Sequence, residues 1–351
     1  DFITSTETTE STTWNTDLNI GSNFTVKTGH TLTIQNAKIS IAPDIKIKIE
    51  PGAKLIIDNS TLTNYCGSNY WGGIEVFGIK KQLQAEQYQG TLLVKNNSII
   101  ENSRNAISTW RTNDWNSMGG IVKAENSTFR NNIRSAEFLS YKNTNSNTGE
   151  QSNVSRFTNC IFTWDRSMFP HDKTSLSHVT LWDVKDVMFI GCDFTDNQIL
   201  NNSIIKHGIL AEDAGFKVLA KISITPQGYN VDKSSFTKLS YGIRVSNTKK
   251  SVEVMDSYFE DNFCGVFATS ANNSIIKSNE FHLIPVYNIR QLYPTEPAYG
   301  IVIDYTTGYK IEQNNFFGEN ENLKGTGLQI KNSGQAPNEV KNNIFRKILY
   351  S

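Results

Sequence analysis

The chain has 351 residues, 38% of them hydrophobic, and its 34 Lys and Arg are matched by 34 Asp and Glu. That balance leaves no overall field to draw it onto nucleic acid or anionic lipid. No run approaches the ~18 apolar residues that a membrane span needs, and four cysteines are too few for a scaffold built on disulfides.

The chain opens on Asp1 with no basic-then-apolar leader, which fits a processed protein or an excised segment. Residues 1–20 are rich in Ser and Thr with one aromatic anchor, Trp14. They read as the lead-in to an N-terminal cap, set at 1–23, because the first coil of a solenoid has an open edge to cover. Residues 24–62 then alternate: Phe24 and Val26, Leu32 and Ile34, Ile39 and Ile41, Ile45, Ile47 and Ile49, Leu55 and Ile57. Period-2 alternation puts one face inward and one outward. Pro51-Gly52 marks a turn, and Lys46 and Lys48 are expected to point into solvent with no ligand to hold.

From residue 59 a repeat takes over. Its clearest copy is Ser251–Ala268, which reads as turn, strand, turn, strand. The large inward residue is placed at Ile39, Leu62, Ile99, Phe129, Phe162, Phe194, Phe236, Phe259, Phe281, Phe316 and Phe345. The shortest spacings are 22 residues, from Phe259 to Phe281, and 23, from Ile39 to Leu62. A period of that length with strand content predicts an all-β solenoid, a right-handed parallel β-helix of about ten coils forming one domain over 24–351.

Asn36, Asn59, Asn96, Asn126, Asn159, Asp256 and Asn342 stand three positions before that residue, and Asn102, Asn132, Asp165, Asn197 and Asn262 three after it. Asparagine tolerates the left-handed turn conformation and can bond the equivalent amide of the next coil, so these are read as structural ladders. Gly208, Gly242, Gly265, Gly300 and Gly327 open the second strand, where a corner needs close approach. Cys160 and Cys192 occupy equivalent places in successive repeats, about 4.8 Å apart if stacked. Two buried thiols are preferred there over a strained disulfide. Inserts at 78–90, 111–118, 141–153, 165–177, 196–206, 212–230, 284–298 and 318–325 are surface loops, where function usually sits.

The run Ile49–Ile57, followed by Leu62-Thr63, Cys66, Trp71–Gly78 and Gly90–Asn102, resembles the start of large secreted β-helix proteins of Bacteroidota. The resemblance covers roughly residues 12–140; beyond it, the repeat is the one shared by pectate-lyase-like folds. It implies a surface-exposed or released protein, exported by the type IX route and in contact with that secretion machinery. The family's C-terminal sorting domain is a separate β-sandwich, and nothing after Phe345 matches it.

Three residues on from the first inward apolar residue of each coil stand Phe77, Trp110, Leu139, Trp182, Glu212, Ser246, Thr269, Asp304 and Lys331. An outward row with two tryptophans and carboxylates suits a sugar chain, whose ring faces pack on indole while its hydroxyls find polar partners. Trp110, Trp182, Glu212 and Asp304 are therefore the candidate binding residues, unless loops 111–118 and 165–177 fold over the indoles. Catalysis on such a scaffold needs a base near an acidic sugar, or two carboxylates spaced for a water. The richest region, 164–213, offers Trp164, Asp165, Arg166, His171, Asp172, Lys173, His178, Asp183, Asp186, His207, Glu212 and Asp213. From it His207, Glu212 and Asp183 are the candidate catalytic set. No His or Cys spacing matches a metal site, and Ca2+ finds no clear run of carboxylates, so no cofactor is expected. Loop 284–298, with Pro285, Tyr287, Arg290, Tyr293, Pro294 and Pro297, is rigid and aromatic and reads first as cover for the coil beneath.

The preferred expectation is a non-catalytic extracellular or cell-surface rod, adhesin-like and glycan-binding. The alternatives are a lyase or hydrolase of acidic polysaccharide, and a structural segment of a larger exported protein.

Overall fold

The computed structural model describes residues 2–65, 69–145, 147, 149–165, 175–198, 204–226, 228–283, 297–318 and 325–348. Among them all regular structure is β, and no helix is long and apolar enough to cross a membrane. The chain divides into two compact units, Asp1–Thr163 and Trp164–Ser351. Each is a right-handed parallel β-helix: a coil contributes one short strand to each of three sheets, and like strands of successive coils pair in parallel.

In the first unit one sheet runs through Leu18–Ile20, Lys38–Ile41, Thr61–Asn64, Ile99–Glu101 and Thr128–Arg130. A second runs through Phe24–Val26, Lys46–Ile49, Trp71–Val76, Ser103–Ser108 and Arg134–Phe138. The third includes Thr31–Gln35, Lys54–Asp58 and Thr91–Lys95. The sequence frame contained only two strands per coil. The third strands are three to five residues long, as at Ile275–Lys277 and Lys54–Asp58, and run directly into the turn before the next strand. Parallel pairing also begins inside the segment expected as a cap: Phe2 faces Asn19, Thr12 faces Leu32 and Leu18 faces Ile39.

The inward row of the first unit holds Ile39, Leu62, Phe129 and Phe162, all fully buried. In the next coil the row is filled by Ile100, not Ile99: Ile100 faces both Leu62 and Phe129 and is fully buried. The reason is at the corner, where Asn96 and Asn97 both have left-handed backbones (φ 56° and 62°), so this turn carries one residue more than its neighbours. The corner elsewhere is as expected. Asn36, Asn59, Asn126 and Asn159 have φ between 45° and 53°, and exposed amides bond from Asn59 to Asn36 and from Asn159 to Asn126.

The second unit is more regular. Phe194, Phe236, Phe259, Phe281, Phe316 and Phe345 form one stack, with successive ring centroids 4.6–5.0 Å apart and planes within 12°. Each buried ring contributes ~1.5–3 kcal/mol of transfer free energy. The glycine column exists because the Phe column does. A Cβ on Gly242 would lie 2.7 Å from the Gly265 carbonyl oxygen and 3.0 Å from the Phe259 ring, and Gly265 meets Gly300 and Phe281 in the same way. Two residues before the stack, Asn279, Asn314 and Asn343 form a second ladder. Each Nδ2 donates to a backbone carbonyl (Val254, Ile276, Ile311), and those of Asn279 and Asn314 also donate to the next Oδ1 at 3.0 Å.

Cys160, in the first unit, and Cys192 and Cys264, in the second, are buried, and among the described residues no disulfide joins them. The expected insert 212–230 is only partly a loop: it contains Phe216–Leu219, a third-sheet strand paired with Val252–Met255. Beyond that strand, Lys221–Thr225 and Gly228–Asp232 form an antiparallel hairpin. Insert 141–153 likewise carries the hairpin Asn143–Asn145 with Gly149–Gln151.

Candidate functional site

In the first unit the second sheet buries Ile47, Ile74, Ile107 and Ala136 as one row. The residues that follow them must then face outward: Lys48, Glu75, Ser108 and Glu137, paired in that order. Those that precede them on the ladder are Lys46, Gly73, Asn105 and Arg134. A β-bulge breaks the register here, since Gly73–Ile74 lies opposite Asn105–Ile107, with Ala106 as the extra residue. Only glycine fits at 73: its φ is +103°, and a Cβ would fall 1.6 Å from the Asn105 carbonyl oxygen. Gly72 leaves room as well, since a Cβ there would stand 2.5 Å from Lys46 Cγ. Bulges of this kind redirect side chains beside functional surfaces.

The outcome is a groove of about 210 Å³ lined by Asp44, Lys46, Glu75, Arg104, Asn105, Ser108, Trp110 and Thr112. Its charges come in pairs. Lys46 Nζ meets Glu75 Oε1 at 2.5 Å, and Thr112 Oγ1 donates to the same oxygen at 3.0 Å. Arg104 Nε donates to Asp44 Oδ1 at 2.5 Å. Beside the groove Arg134 pairs with Glu137 Oε1. Glu75 and Glu137 are only 5% and 8% exposed although they point away from the core. Burial at that level needs these partners.

Trp110 forms one wall. Its Nε1 donates to Glu137 Oε2 at 2.9 Å, which fixes the plane of the indole. The ring packs against buried Met118, Leu139 and Tyr141 and stays partly exposed. The loop after it, pinned by Ser117 Oγ to the Arg111 amide at 2.7 Å, sets Trp115 beside Trp110 with centroids 5.5 Å apart and planes 32° from parallel. Trp115 is 51% exposed. Insert 111–118 thus leaves Trp110 open on one side and adds a second indole.

Phe77 and Leu139 are not outward as the count from the inward residue had them; they are 2% and 9% exposed. The strands end at Val76 and Phe138, so those positions fall where the chain turns away. There Phe77 lies under the Arg111 guanidinium at 4.3 Å, and Leu139 joins the apolar cluster. Lys46 and Lys48 do face away from the core, but Lys46 is an ion-paired groove wall rather than a free solvent charge.

In the second unit the expected row is present. Trp182 faces Glu212, Glu212 faces Ser246, Ser246 faces Thr269, Thr269 faces Asp304 and Asp304 faces Lys331. Trp182 is 39% exposed. Glu212 is exposed and accepts from the Ser246 hydroxyl and, at 2.6 Å, from the Asn247 amide; Asp304 accepts from Asn332 at 2.9 Å. Asp183 and Asp213 share Lys250, at 2.6 and 3.1 Å. Although burial opposes it, the two carboxylates raise the Lys250 pKa.

His207 stands apart from that cluster. It is 2% exposed, stacks on Tyr241 at 5.3 Å, and has a buried Nδ1 with no hydrogen-bond partner among the described residues. Burial, with the Arg244 charge, lowers its pKa to about 4. Five residues along one strand separate it from Glu212, roughly 16 Å. His178 is fully buried, stacks on Trp164 at 3.5 Å, and is pushed by burial to about 3. Lys206 is buried and bound to Asp196 at 2.5 Å and Gln198 at 2.6 Å. Cys66, Arg166, His171, Asp172 and Lys173, and in the loop 284–298 Pro285, Tyr287, Arg290, Tyr293 and Pro294, lie outside the described residues. Among the described residues no group of three or more His, Cys, Asp or Glu could hold a metal ion.

Glu75, Glu137, Arg104 and Trp115 were missed from the sequence. The signal available was a charged residue between two inward ones, as in Ile74-Glu75-Val76 and Ala136-Glu137-Phe138, with an opposite charge one coil away at Lys46 for the first and three residues back at Arg134 for the second.

This architecture has known counterparts. Residues 177–349 match the family model described as "Right handed beta helix region". No curated protein matches the sequence. Among solved structures, the A-module of mannuronan C-5 epimerase AlgE4 from Azotobacter vinelandii is similar at 11% identity with a TM-score of 0.52, over 96% of this chain and 87% of that one. Tailspike protein 3 of bacteriophage CBA120 is similar at 11% identity with a TM-score of 0.46, over 96% of this chain and 53% of the tailspike. The Streptococcus pneumoniae surface adhesin PfbA is similar at 12% identity with a TM-score of 0.35, over 95% of this chain and 70% of that one. At such identities the first likeness is one of fold, and the other two carry no further argument.

Proposed function

We propose that this protein is an extracellular or cell-surface β-helix that binds glycan chains without acting on them chemically. The observation that carries this reading is the pair of tilted indoles, Trp110 and Trp115, standing beside a groove lined with oriented polar groups. Sugar rings stack on such surfaces while their hydroxyls exchange hydrogen bonds with fixed partners. The row from Trp182 to Asp304 offers the same combination in the second unit. Export by the type IX route and contact with its machinery belong to the proposal and rest on the resemblance of residues 12–140.

The alternative, an enzyme for acidic polysaccharide using Asp183, His207 and Glu212, has less behind it. A base must reach the proton it takes, and His207 is buried well away from Glu212. Glu75 in the groove and Glu137 beside it are each held in an ion pair, with Lys46 and Arg134, and not set as two carboxylates facing each other across room for a water. A glycan array probed with the wild type, Trp115→Ala and Trp182→Ala tests the reading. Signal on the wild type that falls in either variant is expected; signal unchanged in both, or absent from the wild type, overturns it.

A further inference from the structure

We infer that the groove of the first unit takes an uncharged hexopyranose unit of a longer chain, not a uronate. The inference rests on the glycan-binding reading and names the class of sugar.

Its basis is the charge count within the groove. The walls carry two carboxylates, Asp44 and Glu75, and two cations, Lys46 and Arg104, and each cation is already committed to a carboxylate at 2.5 Å. Arg134, the next cation on the ladder, is bound to Glu137. Recognition of a sugar carboxylate needs an available guanidinium or ammonium, best as a bidentate Arg. Here a uronate would bring its charge against Asp44 or Glu75, each of which already neutralises the cation it would need.

A hydroxyl makes no such demand, because it donates and accepts at once. The groove offers both functions. The two contacts of Glu75 fall on Oε1, which leaves Oε2 to accept. Asn105 can donate, and Ser108 and Thr112 add hydroxyls to the lining. Trp110 supplies the apolar face, its plane held by Glu137. At about 210 Å³ the groove is smaller than the ~300–1,000 Å³ pockets that enclose drug-sized ligands. That suits one ring seated in the groove while its neighbours lie over Trp115 at the rim.

The test titrates the full chain with linear glucan, mannan and galactan oligosaccharides and, in parallel, with oligogalacturonate and oligomannuronate, at low and high salt. The expected result is binding of at least one neutral series with an affinity that salt changes by less than about twofold, since paired charges leave no net field to screen. Glu75→Gln is expected to weaken neutral binding about tenfold and, by freeing Lys46, to strengthen uronate binding. Arg104→Gln, at a 54% exposed side chain, gives a second variant whose folding is not at risk; it makes the groove acidic and is expected to weaken uronate binding further. Tight, salt-sensitive uronate binding that Arg104→Gln abolishes overturns the inference while glycan binding stands. No binding of any series overturns both.

Discussion

The glycine–phenylalanine columns of the second unit and the groove face of the first use the same coil to opposite ends. In the columns every position repeats, and Phe259 stacks on Phe236 and Phe281 at 4.9 and 4.6 Å while Gly242 and Gly265 make room for the rings. On the groove face neighbouring coils differ: Lys48, Glu75, Ser108 and Glu137 set an ammonium, a carboxylate, a hydroxyl and a second carboxylate along one row. A repeated row can satisfy itself only by apolar stacking or identical hydrogen bonds. A varied one can set a cation beside a carboxylate and an indole beside both. Regularity is therefore the mark of scaffold, and its interruption marks a surface with something to bind.

The difference can be tested by breaking each side. Phe259→Ala removes a ring from the middle of the stack and is expected to cost about 3–5 kcal/mol, read as a lower midpoint in urea, with sugar binding at the groove unchanged in the folded protein. Gly265→Ala puts a methyl within 2.8 Å of Phe281 and of the Gly300 carbonyl, and should cost about 1–3 kcal/mol on the same measurement. A wild-type midpoint in either variant would mean that the column is not what holds the coils. Trp115→Ala is the reverse case: a half-exposed loop residue whose loss should shift stability by no more than about 0.5 kcal/mol while binding falls.

Acid acts on the second unit through two buried histidines. His207 and His178 are neutral in the folded state, with pKa values of about 4 and about 3, whereas the unfolded chain protonates histidine near ~6.5. Between those values the unfolded state holds more protons, so the stability these groups confer is intact above ~6.5 and is lost as pH falls toward 4. His207→Phe, which also removes the unpartnered Nδ1, should flatten part of that slope in melts taken from pH 7 to pH 4.5. An unchanged slope would show that His207 is not buried as described.

Much of the scaffold was legible in the sequence because it repeats. The Phe column, the glycine column and the left-handed asparagine corners are all set by one-residue preferences at fixed offsets. The outward row from Trp182 to Lys331 could be counted for the same reason, as no bulge interrupts its pairing. The groove could not. Its charged walls come from coils about 30 residues apart, and the bulge at Ala106 shifts the count where it matters. Glu75 looked like part of the Gly-Ile-Glu-Val frame because its partner Lys46 lies in another coil. The count gave Trp110 correctly but also Phe77 and Leu139, since it could not see where the strands end.

The doubled turn at Asn96 and Asn97 has a bearing on how such a chain can change. A residue added there shifted the following strand by one place in the sequence, yet Ile100 still sits opposite Leu62 and Phe129. The left-handed corner took up the extra length, so the core on either side kept its faces. Within a strand the same addition would turn every inward side chain outward. The corners are thus where single-residue insertions can accumulate harmlessly, and a designer seeking a grafting point for a peptide tag would begin at Asn97.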